Sequence, residues 1–193
     1  MVNIGFLGGS FDPVHLAHLC AAQDALEQLH LDKVVLVPAA QAPLKRGCPR
    51  TSDEHRLAML RLALENFPCF EVSDHEILRG GVSYTIDTVR HFRLVYPHDR
   101  LFWILGADQL AQLPLWHRVE ELVRMTEFIC LERPGHPVPT PPAIPGLRLH
   151  RCPGHQLEIS STEIRQRAKE GRSLHCLVPH KAVVYLQENR LYR

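Results

Sequence analysis

A chain of 193 residues that is 45% apolar and 22% charged is an ordinary globular polypeptide, able to bury roughly 70% of the surface its unfolded form exposes. Its 22 basic and 21 acidic side chains leave a formal charge of +1 with no sustained run of one sign. That balance argues against a nucleic-acid partner, which needs a concentrated basic surface. No apolar stretch approaches the ~20 residues of a membrane span, and Met1-Val2-Asn3 opens no signal peptide. A cytoplasmic setting is therefore expected, in keeping with six cysteines that show no paired spacing.

Residues 2–7 read as a short buried strand that Gly8-Gly9-Ser10-Phe11-Asp12-Pro13 stops and turns. Over residues 15–29, Leu16, Leu19, Ala22, Leu26 and Leu29 recur at helical spacing. Residues 33–38 form the next strand, followed by a loop through Gly47. Thr51 and Glu54 have the spacing of a capping box before a helix carrying Leu57, Leu60, Leu62 and Leu64. Further strands are predicted at residues 70–73, 101–105, 128–131 and 147–150, and further helices at 84–96 and 116–125. Trp103 is expected in the core, as are the thiols of Cys20 and Cys130. The proline-rich stretch 133–146 reads as an extended surface loop. Ser160 and Glu163 cap a helix that Gly171 ends, and Pro179 opens a last helix running to about Asn189.

Strands alternating with helices predict an α/β fold: a Rossmann-like, doubly wound, mainly parallel sheet with helices on both faces and a C-terminal helical element. One domain spanning 1–193 is expected, with residues 160–193 as its helical C-terminal segment. Ligands of such sheets bind beyond the carboxyl ends of the strands, which singles out residues 8–18, 38–45 and 106–108.

Gly8 and Gly9 at a strand end allow a tight turn and close approach of backbone N–H groups to an anion. They match neither a dinucleotide fingerprint nor a P-loop. His15 and His18, three residues apart at a helix start, can turn both rings to one ligand beside outward-pointing amides. Without a third ligand at metal spacing they do not make a zinc site. A second anion site lies in Ile159-Ser160-Ser161-Thr162-Glu163-Ile164-Arg165. Ser160 caps the helix, leaving the Ser161 and Thr162 hydroxyls, first-turn N–H groups and the Arg165 fork for phosphate oxygens. Together the two segments suit a triphosphate, with the α-phosphate at the histidines and the β- and γ-phosphates at Ser161, Thr162 and Arg165.

These two segments resemble the nucleotidyltransferase superfamily of α/β adenylyl- and cytidylyltransferases. Ser83-Tyr84-Thr85-Ile86-Asp87-Thr88, Trp103-Ile104-Leu105-Gly106-Ala107-Asp108 and Leu113-Pro114-Leu115-Trp116-His117 are similar, more narrowly, to the bacterial nicotinate-nucleotide adenylyltransferase family. The ending Val183-Val184-Tyr185-Leu186 with Leu191-Tyr192 is similar too. The resemblance spans nearly the whole chain. It implies AMP transfer from ATP to nicotinate mononucleotide, yielding nicotinate adenine dinucleotide and pyrophosphate, with Mg²⁺ accompanying ATP.

The resemblance implies His15 and His18 as the catalytic pair, His18 the more critical. It implies ATP and phosphate contacts at Gly8, Gly9, Ser10, Phe11, Lys45, Gly106, Ser161, Thr162 and Arg165. Tyr84, Thr85, Asp108, Trp116 and Arg133 form the implied set for the nicotinate nucleotide, with Trp116 stacking on the pyridine ring. No metal-holding side chain is assigned. Ala17 and Leu44 stand where the family usually has Gly and His. Alternative readings are preference for nicotinamide mononucleotide and a non-catalytic nucleotide-binding regulatory module. Ser83-Tyr84-Thr85 and Trp116-His117 disfavour a phosphopantetheine adenylyltransferase. Oligomeric state stays open, a homo-oligomer included.

Overall fold

Short runs of β-branched and large apolar residues pair into one sheet in the computed structural model, which describes residues 1–43, 51–132, 140–155 and 157–193. The strands are β1 (Asn3–Gly9), β2 (Lys33–Pro38), β3 (Phe70–Val72), β4 (Arg100–Gly106), β5 (Glu127–Glu132) and β6 (Leu149–Pro153). Their order is β3-β2-β1-β4-β5-β6, with every neighbouring pair parallel. This is the doubly wound arrangement expected from the sequence. Its switch in strand order falls between β1 and β4, where the carboxyl ends of the two strands open a crevice.

Alternation along each strand sends side chains to opposite faces and so divides the core in two. Leu7, Val34, Leu36, Ile104 and Ile129 meet α1 (Leu16–Gln28), α2 (Asp53–Leu64), α7 (Ser161–Lys169) and α8 (His180–Glu188) on one face. Ile4, Phe6, Val35, Val37, Trp103, Leu105 and Phe128 meet α4 (Thr85–Val95) and α6 (Val119–Met125) on the other. Each fully buried Leu, Ile or Phe contributes roughly 1.5–3 kcal/mol. The shorter α3 (His75–Arg79) and α5 (Ala107–Gln112) follow β3 and β4. No helix among the described residues is long and apolar enough to cross a membrane.

Several local expectations are corrected. Gly8 and Gly9 do not turn the chain; they extend β1, in register with Val37 and Pro38. A Cβ on Gly8 would lie 2.7 Å from Trp103, and one on Gly9 3.1 Å from Phe11, so both glycines make room for aromatic rings. The left-handed residue of the turn is Phe11, at φ 47° and 1% exposed. The cap of α2 is Ser52, whose hydroxyl accepts from the His55 N–H at 3.4 Å; Thr51 is bonded elsewhere. The buried stripe of α2 is Arg56, Met59, Leu60, Ala63 and Leu64, while Leu57 and Leu62 are only half-buried. Cys130 is buried as expected but Cys20 is half-buried. The helices α3 and α5 are too short to show a 3.6-residue period, which explains their absence from the sequence reading. A 3-10 turn at Leu113–Leu115 and a left-handed Arg118 delay α6 to Val119, so Trp116 stands in the connection rather than in the helix. Around α7 the expectations hold: Ser160 accepts from the Glu163 N–H at 3.1 Å, and Gly171 lies beyond the helix end at φ 66°.

Candidate functional site

The connection from β1 to α1 leaves the sheet at its switch point, and His15 and His18 sit at its far end. His15 is the N-cap residue of α1 and His18 lies three residues on. Their rings stack with centroids 3.6 Å apart, and Phe11 meets the His18 ring edge-on at 4.9 Å. The His15 N–H donates to His18 Nδ1 at 3.2 Å, while the His18 N–H donates to the His15 carbonyl at 3.0 Å. Because Nδ1 accepts, the neutral His18 ring carries its proton on Nε2. His15 is 6% exposed, and its Nδ1 has no hydrogen-bond partner among the described residues. Burial lowers its pKa from 6.5 to about 4, so the ring is neutral at pH 7.

The carbonyl groups of this loop are taken by side chains from distant elements. Arg56 of α2, fully buried, donates to the Ser10 carbonyl at 2.6 Å and the Ala39 carbonyl at 2.8 Å, with Asp53 at 2.5 Å. Arg165 of α7 donates from Nη1 to the Asp12 carbonyl at 2.7 Å, and the Ser161 hydroxyl to the Pro13 carbonyl at 2.9 Å. The two expected anion-binding segments are thus tied together. The Ser161 hydroxyl hydrogen, assigned to phosphate from the sequence, goes to the loop. With Ser160 holding the Glu163 N–H, the Ser161 and Thr162 N–H groups remain as the donors of the first turn. The second Arg165 nitrogen, Nη2, meets Thr162 Oγ1 at 3.2 Å. The Asp12 carboxylate is 4% exposed and accepts from Tyr192 at 2.5 Å and the Thr51 N–H at 3.3 Å.

Across the switch point, Gly106 ends β4 with nothing among the described residues within 4 Å of where a Cβ would stand, which gives a ligand room against the backbone there. Asp108 follows, exposed, in the first turn of α5. Tyr84 is the N-cap residue of α4 and Thr85 the helix's first residue. The Tyr84 ring lies 4.6 Å from that of His117, bringing the start of α4 beside the connection that carries half-buried Trp116. Ser83 holds this region to the end of β2: its hydroxyl accepts from the Ala40 N–H at 2.9 Å, and its N–H donates to the Gln41 carbonyl at 2.9 Å. Beneath it Glu76, 4% exposed, accepts from the Thr88 hydroxyl, and burial raises its carboxyl pKa. Lys45, Leu44 and Arg133 lie outside the described residues.

Sequence reasoning missed Arg56, Asp12, Glu76 and His117. Arg56 had a signal: a charged residue on the same helical stripe as Leu60 and Leu64 needs buried partners.

The fold and this site together define a nucleotidyltransferase of the cytidylyltransferase-like class, whose family model matches residues 6–167. A probable nicotinate-nucleotide adenylyltransferase from Opitutus terrae is 60% identical, over 100% of this chain and 98% of its own. The nicotinate-nucleotide adenylyltransferase of Bacillus subtilis is 40% identical, over 100% and 99%. This chain belongs to the nicotinate-nucleotide adenylyltransferase family. The fold is shared with the Plasmodium falciparum nicotinic acid mononucleotide adenylyltransferase, solved in complex with NaAD, at a TM-score of 0.79 and 22% identity, covering 100% of this chain and 98% of that one.

Proposed function

We propose that this protein transfers AMP from ATP to nicotinate mononucleotide, forming nicotinate adenine dinucleotide and releasing pyrophosphate. The observation that carries the reading is the stacked His15–His18 pair at the sheet's switch point, tied through residues 12 and 13 to the first turn of α7. A phosphate oxygen of the mononucleotide attacks the α-phosphorus of ATP as the bond to the β-phosphate oxygen breaks. That nucleophile is already an anion, so no general base is required. Catalysis then consists of alignment and of stabilising charge on the α-phosphoryl oxygens and the leaving pyrophosphate.

His18 donates from Nε2 to an α-phosphate oxygen, its orientation held by the His15 N–H. His15 Nδ1 is buried and has no hydrogen-bond partner among the described residues, a polar atom still to be satisfied. The Ser161 and Thr162 N–H groups and Arg165 hold the β- and γ-phosphates, and Lys45 is a further phosphate contact that the family resemblance implies. Gly8, Gly9, Ser10 and Phe11 shape the floor of the phosphate site, and Gly106 admits the nucleotide. Tyr84, Thr85, Asp108, Trp116 and Arg133 receive the nicotinate nucleotide, with the pyridine ring on Trp116. The described residues gather no carboxylate set for Mg²⁺, and Asp12 is committed to Tyr192 and Thr51. The ion would arrive on the phosphate oxygens with its own waters, and no step is assigned to it.

Pyrophosphate release with ATP and Mg²⁺, with each pyridine mononucleotide offered separately, tests the reading. The expected outcome is a higher kcat/KM for the acid, because a donor built for a carboxylate is left unpaired by the amide. An equal or higher kcat/KM for the amide overturns the acceptor. ATP binding without pyrophosphate release from either overturns catalysis and leaves a regulatory module.

A further inference from the structure

Among the residues that the proposed reaction leaves without a role, Tyr192 is the one whose bonds lead back to the site. The last helix packs on α2 through the Tyr185 hydroxyl and His55 Nδ1, 2.9 Å apart, and through Lys181 and Glu65. Beyond it the chain turns at Arg190, at φ 50°, and at Tyr192, at φ 63°. The Leu191 N–H closes that turn on the Leu186 carbonyl at 3.0 Å. Tyr192 thereby reaches Asp12, 180 residues earlier in the chain, and donates its hydroxyl to Oδ1 at 2.5 Å. Thr51 holds the other carboxylate oxygen, with its N–H donating to Asp12 Oδ2 at 3.3 Å. Burial and the Asp12 carboxylate both push the Tyr192 hydroxyl pKa upward, so it remains a donor throughout the working pH range.

Asp12 is thus held by its carboxylate while its carbonyl takes Arg165 Nη1 at 2.7 Å. Those are opposite ends of one residue: moving the carboxylate turns the peptide that Arg165 grips. Asp12, Thr162, Arg165 and Tyr192 also line one cavity of about 590 Å³, so the guanidinium aimed by this relay borders open space for a ligand. We infer that Tyr192 is a positioning residue for the triphosphate end of the site, acting through Asp12 to set the direction of Arg165. The inference rests on the proposed contact of Arg165 with the β- and γ-phosphates. A C-terminal residue that only fastened the tail would act on stability and on both substrates alike; one that aims Arg165 acts on ATP alone.

Steady-state kinetics of Tyr192→Phe, Arg165→Ala and the double variant, each with a thermal melt, separate these roles. Losing one hydrogen bond to a charged group corresponds to about a tenfold change. Tyr192→Phe is expected to raise the KM for ATP about tenfold, with the KM for nicotinate mononucleotide and kcat within about twofold of wild type. In the Arg165→Ala background the same change is expected to add little, because interacting residues are non-additive. An unchanged ATP KM in Tyr192→Phe overturns the inference, as does an equal loss for both substrates that tracks a lowered melting temperature. Additive effects in the double variant overturn the route through Arg165. An unchanged ATP KM in Arg165→Ala alone overturns the underlying phosphate assignment, and the relay with it.

Discussion

The two ends of the site are built on different plans. At the phosphate end, Arg56, Ser161 and Arg165 take the carbonyls of residues 10, 12 and 13, and Tyr192 takes the Asp12 carboxylate. These bonds come from α2, α7 and the chain terminus, and the loop they hold is largely buried. At the proposed acceptor end, Asp108 is exposed and Thr85 and Trp116 are half-buried, on short connections and helix starts. The Tyr84 and His117 rings meet there as a tilted pair. Charge stabilisation needs donors fixed before the ligand arrives, since any reorganisation subtracts from the rate. A flat pyridine ring needs only an aromatic surface and a few polar groups.

Removing the most deeply built tie should break this contrast most severely. Arg56→Met removes the buried guanidinium's bonds to the Ser10 and Ala39 carbonyls and to the Asp53 carboxylate, and is expected to cost about 4 kcal/mol of stability by denaturant unfolding. A loss below about 1 kcal/mol would show that the loop does not depend on it.

The second test is pH. Above pH 6.5 His15 is neutral in folded and unfolded chains alike; below it the unfolded chain binds a proton that the folded chain resists until about pH 4. Stability is therefore complete above the unfolded pKa and falls by about 3 kcal/mol as pH drops through that window. His15→Gln should flatten that part of the curve, measured as urea midpoints at pH 7 and 4.5; matching slopes in variant and wild type would refute burial as the cause.

His18→Ala is expected to lower kcat about 10²-fold or more, close to 3 kcal/mol of transition-state stabilisation, with little change in unfolding midpoint. A normal kcat would remove His18 from the chemistry. The smallest effect is expected at the looser end: Trp116→Ala should raise the KM for nicotinate mononucleotide about tenfold and leave the KM for ATP unchanged. Equal changes in both constants would mean that the two ends are not separate.

The local elements of the proposed phosphate end were legible because their signals are local. A glycine pair at a strand end, two histidines one helical turn apart and a Ser-capped helix are patterns of neighbouring residues. What escaped was contact between segments far apart in sequence. Thr51 reads as a helix cap until its N–H is seen bound to Asp12, and Ser52 caps instead. Gly8 reads as a turn residue until the Trp103 ring is found against it.

By itself the sequence determined the alternation of strands and helices, the doubly wound class and the two candidate anion-binding segments, because these follow from periodicity and from residue types a few positions apart. Only the tertiary structure decided which atoms of those segments face each other. The direction of a hydroxyl or a guanidinium is set by partners up to 180 residues away, as Tyr192 is for Asp12. The first loop therefore keeps its shape not through its own residues alone, but because Arg56, Ser161, Arg165 and Tyr192 hold its carbonyls and its carboxylate in place.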